Sequence, residues 1–97
     1  MHVITRQRLQ EFAARHPDAA GPLRAWRRIV EGARFASPSE LLDVFPRASI
    51  VGKYRTVFRI AGNRYRLVAD VRYDLGRIYI RGVYTHAEYD DIEVREV

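Results

Sequence analysis

The hydrophobic period changes once along this 97-residue chain, near Ile50, and that single change sets the fold class. Before it, apolar residues recur three and four apart; after it they alternate, the period of a strand with one buried face. Helices first and strands last predict an α+β fold, with N-terminal helices packed on one face of a C-terminal antiparallel sheet. At this length, with 47% hydrophobic residues, the expectation is one packed domain spanning residues 1–97.

Leu9, Phe12, Ala13 and His16 share one helical face, with Thr5 as N-cap, Ile4 as a staple onto Leu9 and Pro17 as the stop. Asp18 is expected to cap a second helix whose Ala19, Leu23, Trp26, Val30 and Ala33 face the core while Arg24, Arg27 and Arg28 turn away. Ser37-Pro38-Ser39-Glu40 reads as a capping box opening a short helix that Pro46 ends, with Trp26, Leu41, Leu42 and Phe45 as core. Strands are predicted over 56–60, 63–73 and 77–84, joined through Gly62-Asn63 and Leu75-Gly76 as a three-stranded meander. The acidic tail after Asp91 is expected to be ragged.

Alternation puts Tyr65, Leu67, Ala69 and Val71 towards the helices and Arg64, Arg66, Val68, Asp70 and Arg72 on the opposite face. A two-residue loop at Leu75-Gly76 would set Arg81 opposite Asp70 and Arg66 opposite Thr85. It makes Ile78, Ile80, Gly82 and Tyr84 the buried set and leaves Tyr79, Arg81 and Val83 outside. The Gly62-Asn63 loop sets Arg59 opposite Arg66, with Arg55 on the same face. Two arginines directly opposed repel unless an anion lies between them, which points to a phosphate-bearing partner.

Charge supports that reading. Residues 1–46 carry seven basic and five acidic groups, residues 47–81 nine and two, and residues 82–97 one and five, giving balances of +2, +7 and −4. A basic segment built almost wholly of arginine suits a polyanion. The absence of cysteine excludes a disulfide scaffold, a thiolate metal site and a cysteine nucleophile. The scattered histidines and carboxylates match no metal-ligand spacing, so no metal and no cofactor is expected. The turn glycines build no phosphate-cradling loop, and no Ser-His-Asp set is supported. No apolar run approaches the roughly 20 residues of a membrane span and no secretory h-region opens the chain, so a soluble cytoplasmic protein is expected.

After the last strand, Thr85-His86-Ala87-Glu88-Tyr89-Asp90 forms a second capping box, and its helical turn places His86, Tyr89 and Asp90 on one side, adjoining the basic face. His86 is a proton carrier near neutral pH, with arginines expected to favour its neutral form, and Tyr89 donates a proton or stacks on a base.

The opening Met1-His2-Val3-Ile4-Thr5, the Gly62-Asn63-Arg64-Tyr65-Arg66-Leu67 segment and the closing run from Ile80 through Asp90 together resemble the HigB family of type II toxins. That resemblance spans nearly the whole chain. It implies a RelE/ParE-like fold, an mRNA interferase activity commonly on ribosome-bound message, and a HigA-type antitoxin with a helix-turn-helix domain. It also implies roles for Arg66 in the Tyr-Arg-Leu strand, for Arg81 in the following strand, and for His86 and Tyr89 in the closing motif. Arg59 departs from the family pattern, which often has Asn at that position.

The expected chemistry is metal-independent RNA cleavage by attack of the 2'-hydroxyl on the adjacent phosphorus. Arg66 and Arg81 stabilise the phosphate, His86 acts as base or acid, and Tyr89 assists or stacks. Lys53, Arg55, Arg59 and Arg64 bind the RNA strand. The rivals are a non-catalytic nucleic-acid-binding module and a ParE-like toxin that inhibits a topoisomerase.

Overall fold

A computed structural model describes all of residues 1–97. The chain runs β1 (His2–Ile4), α1 (Gln7–Arg15), a 3-10 turn (Pro17–Ala19), α2 (Ala20–Glu31), α3 (Pro38–Val44), β2 (Ser49–Ile50), β3 (Arg55–Ile60), β4 (Tyr65–Arg72), β5 (Arg77–Thr85) and α4 (His86–Asp90). The architecture is the α+β one expected, but the meander is enlarged by two short edge strands. The sheet has five strands in the order β1-β5-β4-β3-β2, with β1 parallel to β5 and all other pairs antiparallel. β1 and β2 hold three and two residues, too few for any period to show in sequence.

Because β1 pairs His2 with Arg77 and Ile4 with Tyr79, Ile4 belongs to the sheet and is no staple for α1. Thr5 then has to swing the chain into the helix, and it does so at φ 70, in the left-handed region. It is not the cap: Arg6 holds that position without a side-chain bond. Asp18 likewise caps nothing. It sits in the 3-10 turn, where its carboxylate accepts Tyr65 Oη at 2.6 Å and Arg64 Nη1 at 2.8 Å, tying the helical layer to the start of β4. Ser37 does cap α3, accepting from the Glu40 amide at 3.3 Å, although Glu40 bonds the amide of Ala36 and not that of Ser37.

The core lies between the helices and one face of the sheet. Leu9, Phe12, Leu23, Trp26, Val30 and Leu41 meet Phe58, Ile60, Leu67, Ala69, Val71, Ile78, Ile80 and Val83. Trp26 and Phe45 both pack edge-on against Phe58, with ring centroids 5.2 and 5.1 Å away, so this one ring joins α2 and α3 to β3. Leu42, expected in the core, is only half-buried.

The β3–β4 register is the predicted one, Phe58 opposite Leu67 and Arg59 opposite Arg66, across a turn of residues 61–64. The β4–β5 register is not. Residues 73–76 form the turn, so Arg72 pairs with Arg77, and a bulge between Val68 and Ala69 shifts the ladder further on. Arg81 is the bulged residue, without a cross-strand partner; beyond it Gly82 faces Val68, Val83 faces Leu67 and Tyr84 faces Arg66. Val83 therefore joins the core and Tyr84 the opposite face, the reverse of the alternation expected from an unbroken strand. The carbonyl that the bulge releases from the ladder is not orphaned, because Arg8 Nη1 of α1 donates to it.

The Asp18 clamp has a pH signature. The bond from Tyr65, and then Arg64, holds the Asp18 carboxyl below its ordinary 3.8, while Asp18 holds the Tyr65 hydroxyl above its ordinary 10.0. A lowered acid stabilises the fold above its unfolded value, and that contribution disappears as pH falls through the folded value. A raised tyrosine contributes below its unfolded value and loses that contribution as pH rises through the folded one. Asp18→Asn is expected to flatten both limbs of a plot of melting temperature against pH, below about pH 4 and above about pH 10. Unchanged limbs would show that the clamp contributes nothing.

Candidate functional site

The sheet face turned away from the helices carries Arg55, Val57 and Arg59 from β3, Arg66, Val68 and Asp70 from β4, and Tyr79, Gly82 and Tyr84 from β5, with Arg81 at its bulge. Its centre is Arg66. This residue is only 7% exposed. It donates from Nη2 to Asn63 Oδ1 at 2.7 Å, and from Nη1 to the Asn63 carbonyl at 3.0 Å and the Tyr65 carbonyl at 3.3 Å. The Tyr89 ring of α4 lies 5.7 Å from its guanidinium carbon, in cation–π range.

No carboxylate pairs with Arg66 or with Arg59 opposite it; the ion pairs of the chain lie elsewhere. A guanidinium that is nearly buried and has only neutral partners keeps its full charge in a place where water screens it poorly, a strong site for an incoming anion.

α4 is delivered to this face by the capping box read from the sequence. Thr85 accepts the Glu88 amide at 3.1 Å and Glu88 accepts the Thr85 amide at 2.8 Å, while the His86 amide donates to the Arg64 carbonyl at 3.0 Å. The bond from the Thr85 amide, helped by the Thr85 hydroxyl, holds the Glu88 carboxyl below its usual range against the opposing effect of desolvation. From this turn Tyr89 reaches Arg66. His86, half exposed, pairs its Nδ1 with Asp90 Oδ2 at 3.4 Å, so the charge beside it is a carboxylate and not the expected arginine.

The remaining candidates are placed unequally. Arg81 does not pair with Asp70 as its main partner: the two are 4.0 Å apart, and Arg81 Nε donates instead to the Val97 carbonyl at 3.1 Å. Asp70 belongs to Arg55, 2.6 Å away, whose Nη1 also donates to the Val94 carbonyl at 2.6 Å. Arg59 stands exposed with Nη1 3.3 Å from Asn63 Oδ1. Arg64 is drawn to the rim by Asp18. Lys53, in the loop before β3, sits 5.2 Å from the Tyr54 ring, against which Arg72 packs at 4.5 Å.

Three features escaped the sequence. Tyr84 lies along the open face over Gly82, where a Cβ would come within 2.5 Å of its hydroxyl. Asn63 is the hub of the arginine pair. The segment 91–97, expected to be ragged, folds back across the face: Val94 and Val97 give their carbonyls to Arg55 and Arg81, and Ile92, Val94 and Val97 are half-buried. Val57 and Val68 on this face are buried although the helices lie on the other side, and neither belongs to the helix-side core.

Over residues 19–92 the chain matches the family described as HigB_toxin, RelE-like toxic component of a toxin-antitoxin system. The chain belongs to the HigB toxin family. The mRNA interferase toxin HigB of Escherichia coli strain K12 is 37% identical over 93 residues, covering 93% of this chain and 88% of that protein. The mRNA interferase HigB of E. coli O6:H1 is 30% identical over 95 residues, covering 95% and 91%. As a HigB-family toxin component the chain has an antitoxin as its counterpart. No helix of this HigB-family chain is long and apolar enough to cross a membrane.

The covering segment makes a stability prediction for this HigB toxin. Deleting residues 92–97 removes the half-buried Ile92, Val94 and Val97 and the acceptors of Arg55 and Arg81, and full burial of one such apolar side chain is worth roughly 1.5–3 kcal/mol. Loss of even about 1 kcal/mol lowers the melting temperature of a domain this size by about 4–8 °C. Calorimetry of the truncated protein checks this, and an unchanged midpoint would mean the segment is not packed on the sheet.

Proposed function

We propose that this chain, as a single RelE-like domain over residues 1–97, is an mRNA interferase: a cytoplasmic, metal-independent endoribonuclease acting on message at the ribosome. A HigA-type antitoxin with a helix-turn-helix domain is its proposed partner. The observation that carries the reading is Arg66, nearly buried, without a carboxylate partner and stacked against Tyr89. A non-catalytic binder has no need to desolvate a cation at the foot of a tyrosine.

In the proposed reaction the RNA 2'-oxygen bonds to the adjacent phosphorus as the bond from phosphorus to the 5'-oxygen breaks, leaving a 2',3'-cyclic phosphate and a free 5'-hydroxyl. The substrate supplies the nucleophile. Arg66, with Arg81 once its guanidinium leaves the Val97 carbonyl, stabilises the extra negative charge on the phosphoryl oxygens. One proton leaves the 2'-oxygen and one reaches the 5'-oxygen. His86, oriented by Asp90, and Tyr89, beside Arg66, serve as the two proton carriers, in an order left open. Arg59 and Lys53 steer the strand. Arg55, only 15% exposed and already bonded to Asp70 and Val94, contributes more to holding the face than to gripping RNA.

Arg66→Ala is expected to reduce cleavage at least about 100-fold, the usual loss for one charge-stabilising donor, while the domain remains folded by far-UV circular dichroism. Cleavage in EDTA is expected to continue, and a 2'-deoxy nucleotide at the scissile position to block it. Cutting of the deoxy substrate would overturn the mechanism.

The two proton carriers are separable. His86→Gln is expected to leave RNA affinity within a few-fold and lower the cleavage rate by roughly 10²- to 10⁴-fold, since the turn is capped by Thr85 and Glu88 and not by His86. Near-normal cleavage in this variant with a large loss in Tyr89→Phe would leave His86 outside the chemistry.

A further inference from the structure

Arg59 and Arg66 are cross-strand partners, and two like charges so placed destabilise a sheet. The chain solves this with an amide. Asn63 Oδ1 accepts Arg66 Nη2 at 2.7 Å and Arg59 Nη1 at 3.3 Å, and the Asn63 carbonyl accepts Arg66 Nη1 at 3.0 Å. The amide's oxygen, and not its nitrogen, must point inward, because guanidinium groups only donate. The turn is shaped for this delivery: Ala61 and Gly62 stand at φ 54 and 68, two successive left-handed residues, the first of them strained for a side chain with a Cβ.

An aspartate at this position would bind the two arginines more strongly, and it would also cancel one of their charges. Asparagine fixes their geometry and cancels nothing. We infer that Asn63 is a positioning residue that holds Arg59 and Arg66 as a preset, fully charged pair for one RNA phosphate. The inference rests on the reading of this face as the RNA site and adds to it a residue that does not itself touch the reacting atoms. It also gives Arg59 a function: the second half of a phosphate clamp, set beside the buried guanidinium before RNA arrives. Prepositioning of this kind removes the ordering cost of two long side chains from the binding step.

The test is the salt dependence of affinity for a short single-stranded RNA carrying a 2'-deoxy nucleotide at the cleavage position, measured for the parent protein and for Asn63→Asp, Asn63→Ala, Arg59→Ala and Arg66→Ala. For single strands the slope of log affinity against log salt is about 0.7 for each phosphate neutralised. Asn63→Asp is expected to melt no lower than the parent yet bind at least tenfold more weakly, with a slope shallower by about one such increment. Asn63→Ala leaves the charge count untouched, so its slope should stay the same while affinity and the cleavage rate on all-ribose RNA both fall.

A merely structural turn residue would not split slope from affinity in this way. If Arg59→Ala and Arg66→Ala weaken binding but Asn63→Asp binds with the parent's affinity and slope, the positioning role is wrong and the RNA face stands. If neither arginine variant alters affinity or slope, the RNA reading itself fails, and this inference with it. Should Asn63→Asp not fold, Asn63→Ala decides alone: unchanged affinity and cleavage in it overturn the role.

Discussion

The antiparallel pairing of β4 with β3 on one side and β5 on the other is the interaction on which the rest of the molecule depends. β4 is central in the sheet, and six of its eight residues are buried, on both faces. Towards the helices Tyr65, Leu67, Ala69 and Val71 supply the sheet's half of the core; away from them Arg66, Val68 and Asp70 form the spine of the open face. The same alternation that closes the core therefore lines up the groups of the site. Arg66 can be held nearly out of water only because Tyr89, Asn63 and the strand to either side are fixed by that pairing.

What was legible in the sequence was what depends on short-range rules. The helical face through Leu23, Trp26 and Val30, the Thr85/Glu88 capping box, and the register that opposes Arg59 to Arg66 all follow from spacing and turn length, and all are present. What was not legible depends on distant partners. β1 exists because β5 offers a free edge to three residues some seventy positions away, and that docking converts Thr5 from a cap into a left-handed hinge. The bulge at Arg81 leaves no mark in composition, yet it exchanges the faces of Val83 and Tyr84. Asn63 was passed over because it looked like turn punctuation, the commonest use of asparagine beside glycine.

The charge segregation along the chain has a structural counterpart subtler than acid meeting base. The segment after α4, acidic in composition, does lie on the basic face, but the groups that touch Arg55 and Arg81 are backbone carbonyls, and the contact is completed by half-buried Ile92, Val94 and Val97. Arg59 and Arg66 have neutral acceptors alone, chief among them Asn63. Asp70 neutralises Arg55 at 2.6 Å and lies 4.0 Å from Arg81. The Arg59/Arg66 end of the face is thus ordered without being discharged, a condition that suits a polyanion.

The bulge also separates two properties of Arg81 that usually travel together. Gly82, Val83 and Tyr84 pair with Val68, Leu67 and Arg66 as a regular ladder would pair them if Arg81 were simply not there. The architecture does not count this residue: excising it would close the ladder, keep Val83 inside and Tyr84 outside, and sacrifice the released carbonyl that Arg8 holds and the side chain's contacts to Val97 and Asp70. Length variation at position 81 is therefore a change the fold can absorb: a strand one residue shorter would still be a sheet, and what it would lose is the Arg81 guanidinium on the open face.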